Sequence, residues 1–372
     1  MSSNKVRQTR YSNNNEFYTQ LEDIEKEILG GGYDLKQFEN KTVFCNCDDP
    51  YESNFTKFFI YNFNYLKLKR LICTCFKGSM IAIKGNLFKS ILPQQQGYVL
   101  DISEVPLKEG LTYEEVAKYI NKNKLIKNLQ GNGDFRSPEV IEYLKQADIV
   151  VTNPPFSLFR EYIAQLIEYN KKFIVWGNNN AITYKEIFPL IQSNQLWLGS
   201  ICNATCNFRI PQSYEKYNKD LTESKNDGNK YGTVPAISVF TNLDIQKRHE
   251  KLVLYKIYKG NEKDYFIYDN YEAINVDKVA DIPEDYTRII GVPRTFLSIY
   301  NPEQFKIVGL GNGEPFKLLN HRNFSSKFVE LYRKTNPNTA LGHVLGYIKD
   351  NKAIIPYARV LIQRIDKEDN NV

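Results

Sequence analysis

The chain has 372 residues, which suffices for one large domain or two modest ones. Hydrophobic residues make up 42% and charged residues 25%, fractions that exclude a disordered or fibrous chain. No run of about eighteen apolar residues is present, so we expect no membrane span. The polar N-terminus lacks the apolar segment of a secretory signal, which predicts a cytoplasmic protein. The net charge of +6 permits nucleic-acid binding without requiring it.

Helix-like and strand-like segments alternate over the first half of the chain. Residues 1–15 predict a flexible polar tail, and the apolar spacing of residues 16–29 predicts a helix that ends at three consecutive glycines. Apolar strands alternating with helices predict a parallel sheet with helices on both faces, which binds ligands at the carboxyl ends of its strands. The predicted strands are 42–46, 71–75, 81–87, 98–102, 148–152 and 173–176, and the predicted helices are 54–66, 113–129, 137–146 and 158–169.

The pattern changes in the second half of the chain. Residues 216–231 are polar and rich in Lys, Asn, Asp and Gly, which predicts a mobile loop. Strand-like segments follow, and the last segment has the pattern of a strand or a helix. We therefore predict a catalytic α/β domain over 16–205 and an α+β extension over 206–372. The predicted elements of this extension are 236–241, 252–258, 265–268 and 353–365.

Two of the cysteine pairs have the spacing C-x-C. Cys45 and Cys47 lie in one apolar run, and Cys73 and Cys75 in another. Alternate residues of a strand point to the same face, whereas structural zinc sites usually space their cysteines C-x₂₋₄-C on turns. The spacing therefore favours buried side chains over metal ligands, and we predict no metal and no disulfide.

The sharpest motif is Asn153-Pro154-Pro155-Phe156, which follows a β-branched strand. The prolines fix the backbone, so the Asn153 side-chain oxygen and the Pro154 carbonyl are presented as rigid acceptors. Two acceptors beside the Phe156 ring suit an amino group on a flat heterocycle. They would draw its nitrogen toward tetrahedral geometry and free the lone pair to attack the methyl group of S-adenosylmethionine. That electrophile needs positioning and preorganised dipoles rather than a strong base.

A structural interpretation of the same motif stands beside the catalytic one. A Pro-Pro turn can simply end a core strand, with Asn153 capping the next helix. The apolar strand before the motif and the helix pattern after it favour the catalytic interpretation.

Three other segments are candidates for cofactor contacts. After the first strand, Asn46, Asp48 and Asp49 form an acidic loop that suits the ammonium of a methionine moiety, although Asp48 equally suits a helix cap. Shortly before the motif strand, Asp134 suits an adenine amino group and Phe135 its ring. The N-terminal segment NEFYTQ offers an aromatic and polar edge, with a helix start as the alternative; its candidate residues are Phe17, Tyr18 and Thr19.

The order NEFYTQ, FCNCDDP, GDF and NPPF over residues 12–200 resembles the EcoRI-type family of adenine-specific DNA methyltransferases. The segment VPAISVFTNL (Val234–Leu243) continues the resemblance. It implies a Rossmann-like class I methyltransferase sheet, S-adenosylmethionine as cofactor, and a flipped adenine in double-stranded DNA as substrate. It also implies that the NPPF segment is catalytic and that the three other segments contact the cofactor. The chain departs from common methyltransferases in one respect, because the loop after the first strand contains no glycine.

Other functions remain open from the residues alone. Asn-Pro-Pro-aromatic motifs also serve methylation of RNA bases, cytosine N4 and protein glutamine, and a non-enzymatic nucleic-acid-binding protein could retain the same sheet. Cytosine-C5 methylation is disfavoured, because it needs a cysteine nucleophile and no Pro-Cys dipeptide occurs. A partner restriction endonuclease and a monomeric state are both compatible with a DNA methyltransferase. Base-reading side chains are expected in the second half, where the candidates are Arg288, Arg294, Asn312, Arg322 and Asn323.

Overall fold

The computed structural model describes residues 18–47, 49–50, 53–76, 96–106, 113–210, 221–223 and 230–365. The predicted tail over 1–15, the predicted strand over 81–87, and the predicted site residues Phe17 and Asp48 lie outside these ranges. The described residues form two compact units with separate sheets. The first unit comprises the described parts of Met1–Asn179 and Leu198–Asp244, and the second those of Asn180–Trp197 and Ile245–Val372.

The first unit contains a mixed sheet of eleven strands, counted over the described residues. They are β1 (Tyr18–Thr19), β2 (Thr42–Asn46), β3 (Arg70–Cys75), β4 (Tyr98–Ile102), β5 (Ile126–Asn128), β6 (Ile149–Thr152), β7 (Lys172–Asn178), β8 (Trp197–Leu198), β9 (Ala204–Ile210), β10 (Leu221–Glu223) and β11 (Lys230–Thr241). Their order is β1-β9-β11-β7-β6-β2-β3-β4-β5, and β8 and β10 each pair with β11.

The four central strands, β7, β6, β2 and β3, are parallel. Residues Val43–Cys45 and Val150–Val151 are almost completely shielded from solvent, as expected for strands covered on both faces. The flanking strands β4, β5, β9 and β11 run antiparallel to their neighbours, so the sheet is mixed and the predicted parallel pairing holds only for its four central strands. A short apolar run has the same pattern in either direction, and strand polarity is therefore set by connections that periodicity does not report.

Strands β9 and β11 extend past the carboxyl edge of the parallel strands. The last pair between β11 and β7 joins Ile237 to Asn178, the final residue of β7, and the earlier part of β11 pairs with β9 and β10. A register shift lies between Val234 and Ile237, where Ala236 has a left-handed φ of 58°. Strand β1 pairs with this projecting part of β9, which brings the N-terminal segment to the edge where a ligand is expected.

The helices of the first unit begin with local signals that the sequence displays. The Ser53 hydroxyl accepts from the Phe55 N–H (3.1 Å), and the Ser137 hydroxyl accepts from the Val140 N–H (3.4 Å), as its position before Pro138 predicts. These helices are α1 (Leu21–Ile28), α2 (Asn54–Tyr61), α3 (Tyr113–Lys122), α4 (Pro138–Gln146) and α5 (Phe159–Glu168).

Three predicted helices are shorter than their apolar patterns, and the one predicted over 54–66 ends at Tyr61. The helix predicted over 16–29 begins at Leu21, because the preceding residues Tyr18 and Thr19 pair as a strand. The helix predicted over 113–129 ends at Lys122, and Ile126–Asn128 instead joins β4 as a strand. Lys124 lies between them with a left-handed φ of 51°, which ends the helical path without the glycine that usually signals such a stop.

The second unit holds a five-stranded sheet and a two-stranded hairpin. Its sheet has the order β12-β13-β14-β18-β15, and β16 pairs with β17. Its helices and strands are α6 (Phe188–Gln192), β12 (Phe266–Ile267), β13 (Ile274–Asn275), β14 (Ile290–Pro293), β15 (Phe305–Leu310), α7 (Gly313–Lys317), α8 (Ser326–Thr335), β16 (Tyr347–Lys349), β17 (Lys352–Ile354) and β18 (Arg359–Arg364).

Predictions for the second half of the chain succeed only in part. The strand predicted over 252–258 is wrong, since Val253 and Tyr255 are 63% and 80% exposed and only Lys256 forms a bridge. The segment 353–365, predicted as a strand or a helix, forms parts of the strands β17 and β18. The loop predicted over 216–231 is wrong for its described residues, which belong to β10 and β11. Strands of the segment 204–241 lie in the first unit, so the compact units do not divide at residue 205.

The cysteines behave mainly as small core residues. Cys45, Cys73 and Cys75 are buried and unbridged, whereas Cys47 lies one residue beyond β2, with a left-handed φ of 66°, and is partly exposed. The described residues contain no group of His, Cys, Asp and Glu side chains that could hold a metal ion. None of the described helices combines the length and the apolar character needed to cross a membrane.

Candidate active site

The NPPF motif lies at the carboxyl end of β6. All four residues of this strand are buried, and so is Pro154, while Asn153 and Phe156 are partly exposed. The Pro155 carbonyl accepts from the Leu158 N–H at 2.9 Å and closes a 3-10 turn that leads into α5. The strand, the two prolines and this turn thus fix the backbone on both sides of Asn153.

Parallel strand polarity brings other predicted residues to the same edge. Asn46 ends β2, which pairs in parallel with both β6 and β3, and Cys75 ends β3. The Thr152 hydroxyl donates to the Asn46 carbonyl, which ties the start of the acidic loop to the residue before the motif. The predicted acidic loop and the predicted catalytic motif therefore emerge side by side.

The Asn153 side chain contacts the N-terminal strand. Its Nδ2 atom donates to Thr19 Oγ1 at 3.2 Å, and the Thr19 carbonyl accepts from Asn54 Nδ2 at 2.7 Å. Thr19 is buried (3% exposed). A residue predicted from the NEFYTQ segment thus lies directly against the predicted catalytic amide, and Asn54, at the start of α2, holds it there.

Asn46 is buried and held by an aromatic hydroxyl. Tyr162, a fully buried residue of α5, donates to Asn46 Oδ1. The Asn46 Nδ2 atom is buried and has no hydrogen-bond partner among the described residues. A buried amide donor without a partner costs free energy, of the order of 1–3 kcal/mol, unless a ligand or water accepts from it.

Asp49 is buried against Tyr98 of β4. The Tyr98 hydroxyl donates to an Asp49 carboxylate oxygen, and both residues are almost completely inaccessible to solvent. Burial raises the pKa of Tyr98 far above its ordinary value, and the neighbouring Asp49 carboxylate raises it further. Tyr98 therefore remains a neutral hydrogen-bond donor that fixes the orientation of the Asp49 carboxylate.

The Gly133-Asp134-Phe135 loop packs against the end of β3. Gly133 has a left-handed φ of 75°, and a Cβ atom at this position would lie 2.0 Å from the Cys75 carbonyl oxygen. Gly97 lies against the same loop, since a Cβ atom added to it would lie 2.7 Å from the Gly133 Cα. Two glycines are therefore needed for this close backbone crossing, which brings the loop to the carboxyl edge of the parallel strands.

The Asp134 carboxylate is engaged by Arg136. Both of its oxygens accept from the guanidinium, at 2.9 and 2.8 Å, and Oδ1 also accepts from the Arg136 N–H. The Arg136 hydrogen bonds hold the pKa of Asp134 below its ordinary value, against the opposing effect of partial burial. Phe135 is buried and packs edge-on against Tyr162, with ring centroids 5.1 Å apart, so Tyr162 contacts both Phe135 and Asn46.

Asn179 has a structural environment. Its side chain accepts from the Ser238 hydroxyl at 2.8 Å and donates to Asn203 Oδ1 at 3.3 Å. Asn179 is only 6% exposed, and these bonds link the residue after β7 to β11 and to the residue before β9. Asn179 thus has a structural role in the sheet.

The residues that the sequence analysis missed are those that orient the predicted ones. Tyr162 holds Asn46, Tyr98 holds Asp49, and Asn54 holds Thr19. Each lies dozens of positions from its partner, and no sequence spacing signals such a contact. Arg136 is the exception, because an arginine two residues after an aspartate can fold back onto it.

The chain is similar to known methyltransferases. A family model described as "Adenine-specific methyltransferase EcoRI" matches residues 5–365. The Escherichia coli protein "Type II methyltransferase M.EcoRI" is 43% identical over 314 residues, which cover 84% of this chain and 91% of that protein. The Mycoplasma genitalium protein "Type II methyltransferase M.MgeORF184P" is 42% identical over 79% of this chain and 82% of its own length. The Mycoplasma pneumoniae protein "Type II methyltransferase M.MpnI" is 38% identical over the same two fractions.

The mixed α/β sheet and these relatives together define the chain as a methyltransferase. The chain belongs to the EcoRI family of adenine-specific methyltransferases. The resemblance predicted from the order of the four motifs is therefore confirmed. No solved structure matches the chain significantly.

Proposed function

We propose that the protein transfers the methyl group of S-adenosylmethionine to the exocyclic amine of a flipped adenine in double-stranded DNA. The observation that carries this proposal is the position of Asn153-Pro154-Pro155-Phe156 at the carboxyl end of a buried parallel strand, beside the end of β2. Membership of an adenine-specific methyltransferase family supports the choice of adenine. The relatives that bear the words "Type II methyltransferase" support the choice of DNA.

Two acceptors of the motif perform the central step. The Asn153 side-chain oxygen and the Pro154 carbonyl accept from the two N–H groups of the target amine. The Pro155 carbonyl is already bonded to Leu158, which leaves Pro154 as the backbone acceptor of the pair. Phe156 stacks on the extruded base and replaces part of the stacking lost from the duplex. The rigid backbone keeps both acceptors in place, so little reorganisation is needed as charge develops on the nitrogen.

The residues along the same edge fit a zwitterionic cofactor with an adenine ring. The buried Asn46 Nδ2 donor lacks a partner among the described residues, which suits a ligand carboxylate or hydroxyl. Asp49 supplies a buried carboxylate. Asp134 keeps acceptor capacity beyond its bonds to Arg136, because an ionised carboxylate accepts about four hydrogen bonds. When bound, S-adenosylmethionine supplies the electrophilic methyl group. We propose that the residues that hold it are Phe17, Tyr18, Thr19, Asn46, Asp48, Asp49, Asp134 and Phe135.

We also propose that different parts of the chain catalyse methyl transfer and recognise the target DNA. A Rossmann-like class I sheet with helices on both faces would form the catalytic domain, to which β9, β10 and β11 add strands beyond the predicted boundary at residue 205, and the rest of 206–372 would contribute target recognition. Among the arginine candidates for base recognition, Arg322 is exposed and Arg288 is paired with Glu272 at 3.3 Å on the surface. Arg294 is partly buried, which lowers its pKa. We also propose that the protein acts as a monomer and that a restriction endonuclease is its partner.

Incubation with tritiated S-adenosylmethionine and plasmid DNA, followed by digestion to nucleosides, tests the proposal. Label in N6-methyldeoxyadenosine is the expected result. Label in N4-methyldeoxycytidine would overturn the choice of base, and label that appears only with RNA or protein substrates would overturn the choice of DNA. Methylation-aware sequencing of the product would then give the recognition site.

A further inference from the structure

The contact between Thr19 and Asn153 joins residues that are 134 positions apart in the sequence. Thr19 lies in the two-residue strand β1, and its hydroxyl oxygen is 3.2 Å from Asn153 Nδ2. With 3% of its surface exposed, Thr19 has little access to water. The hydroxyl therefore has to satisfy its hydrogen-bonding capacity within the protein or against a ligand.

Thr19 is itself fixed by two independent contacts. Its carbonyl accepts from Asn54 Nδ2 at 2.7 Å, and its backbone is paired with Phe208 of β9. Phe208 is fully buried, so that this pairing partner is part of the core. The hydroxyl is thus presented to Asn153 from a backbone that cannot easily shift.

The orientation of the Asn153 amide decides whether the site can work. A carboxamide has an acceptor oxygen on one branch and a donor nitrogen on the other, and the two branches have nearly the same shape. The proposed reaction needs the oxygen at the target amine, because a nitrogen there would place donor against donor. When Nδ2 donates to Thr19, the oxygen occupies the opposite branch.

We propose that Thr19 is a positioning residue that holds the Asn153 amide with its oxygen toward the target amine. This inference rests on the proposed function and deepens it. It gives the threonine of the NEFYTQ segment a role in the methyl-transfer step, in addition to the cofactor contact predicted for it. Valine at this position would fill nearly the same volume but could not accept from Asn153 Nδ2. The substitution therefore removes the hydroxyl contact and keeps the packing.

The test compares Thr19→Val, Thr19→Ser and Thr19→Ala in the full chain. We expect kcat at saturating S-adenosylmethionine and DNA to fall about tenfold in Thr19→Val and Thr19→Ala, the effect of losing one orienting hydrogen bond. Thr19→Ser should stay within about twofold of the wild type, because it keeps the hydroxyl. The Kd for S-adenosylmethionine is measured by calorimetry in parallel, because a lost cofactor contact of the Thr19 hydroxyl would weaken it but would not lower kcat at saturating S-adenosylmethionine. The pair Thr19→Ser and Thr19→Ala differs only by the hydroxyl and serves if Thr19→Val does not fold.

Thr241→Val is the matched control. Thr241 is another buried threonine, and it pairs with Ile174 near the amino end of β7, away from the NPPF motif. Its hydroxyl donates to the Phe173 carbonyl and accepts from the Leu243 N–H. We expect this variant to melt at a lower temperature than the wild type with its kcat unchanged, which separates a loss of stability from a loss of positioning.

Three outcomes would overturn the inference. They are wild-type kcat in Thr19→Val and Thr19→Ala, an equal loss in Thr19→Ser, and a weaker Kd for S-adenosylmethionine with kcat unchanged, which would make Thr19 a cofactor contact only. A wild-type protein that labels no DNA would instead remove the proposed function, and the inference with it.

Discussion

Replacing Gly133 by alanine tests whether a contact that only glycine permits holds the Asp134 loop against β3. An alanine Cβ at this position would lie 2.0 Å from the Cys75 carbonyl oxygen and 2.9 Å from its carbonyl carbon. Both atoms belong to the backbone of a central strand, so no side chain can move aside. The left-handed φ of 75° adds a second cost that glycine avoids.

The two costs can be estimated separately. A left-handed backbone costs a residue with a Cβ atom roughly 1–2 kcal/mol, and overpacking of a dense interior typically adds about 1–3 kcal/mol. A free energy of unfolding lowered by about 3 kcal/mol corresponds to a melting temperature roughly 6–12 °C lower for a unit of this size. Relief of the contact would also displace the Asp134 loop, and the loss of about one hydrogen bond to S-adenosylmethionine would weaken its binding about tenfold.

Gly131→Ala provides the control, because the nearest atom to its new Cβ is Glu139 Oε2 at 3.6 Å, an ordinary contact. Differential scanning fluorimetry and calorimetric titration with S-adenosylmethionine would be run on both variants and the wild type. We expect Gly131→Ala to resemble the wild type in both measurements. Equal melting temperatures for the two variants would refute the strain argument. A destabilised Gly133→Ala that binds the cofactor normally would refute the link between loop position and cofactor binding.

Three further predictions follow from the site and its supports. Asn153→Ala should lower kcat at least about a hundredfold and leave the melting temperature nearly unchanged, since it removes a preorganised acceptor; near-normal turnover would exclude the proposed role. Glu27→Gln should destabilise the protein by about 2–4 kcal/mol in chemical denaturation, because the buried carboxylate accepts four hydrogen bonds and an amide cannot. The exposed Glu25→Gln on the same helix should have no such effect. Arg136→Gln removes the hydrogen bonds that lower the pKa of Asp134, so the stability that ionised Asp134 provides above its ordinary pKa is lost. The melting temperatures of this variant and the wild type should differ at pH 7 and converge as the pH falls through the lowered pKa, and a constant difference would count against this assignment.

The central strands and the motif at their edge could be predicted from the sequence because both are local features. Residues 149–152 are an apolar β-branched run followed by Asn153 and two prolines, and the structure has a strand over these four residues. Ser137 before a proline predicts a helix start, and its hydroxyl caps α4. Local chemistry fixes such elements, and parallel pairing then brings their carboxyl ends together.

Failures occur where the structure depends on distant partners. Alternating apolar residues over 252–258 predict a strand, but Val253 and Tyr255 are exposed and belong to no strand of the described residues. The helix predicted across residue 126 ends early because Ile126–Asn128 finds a partner in β4. In the candidate site, Thr19, Asn46 and Asp49 are predicted from their segments, whereas the side chains that orient them come from elements far away in the chain and are visible only in the fold.

The pairing of β1 with β9 sets an order of assembly during synthesis on the ribosome. Thr19 pairs with Phe208, and Glu27 binds the backbone of Ser200 and Ile201, so the N-terminal segment lacks its strand partner until about 200 residues have been made. The parallel strands β2, β3, β6 and β7 are all complete before that point. The nascent chain can therefore form its central sheet before β9 is available to hold Thr19 beside Asn153. Closure of this long loop is an entropically costly late step, which delays the completed Thr19–Asn153 contact until most of the first unit has been synthesised.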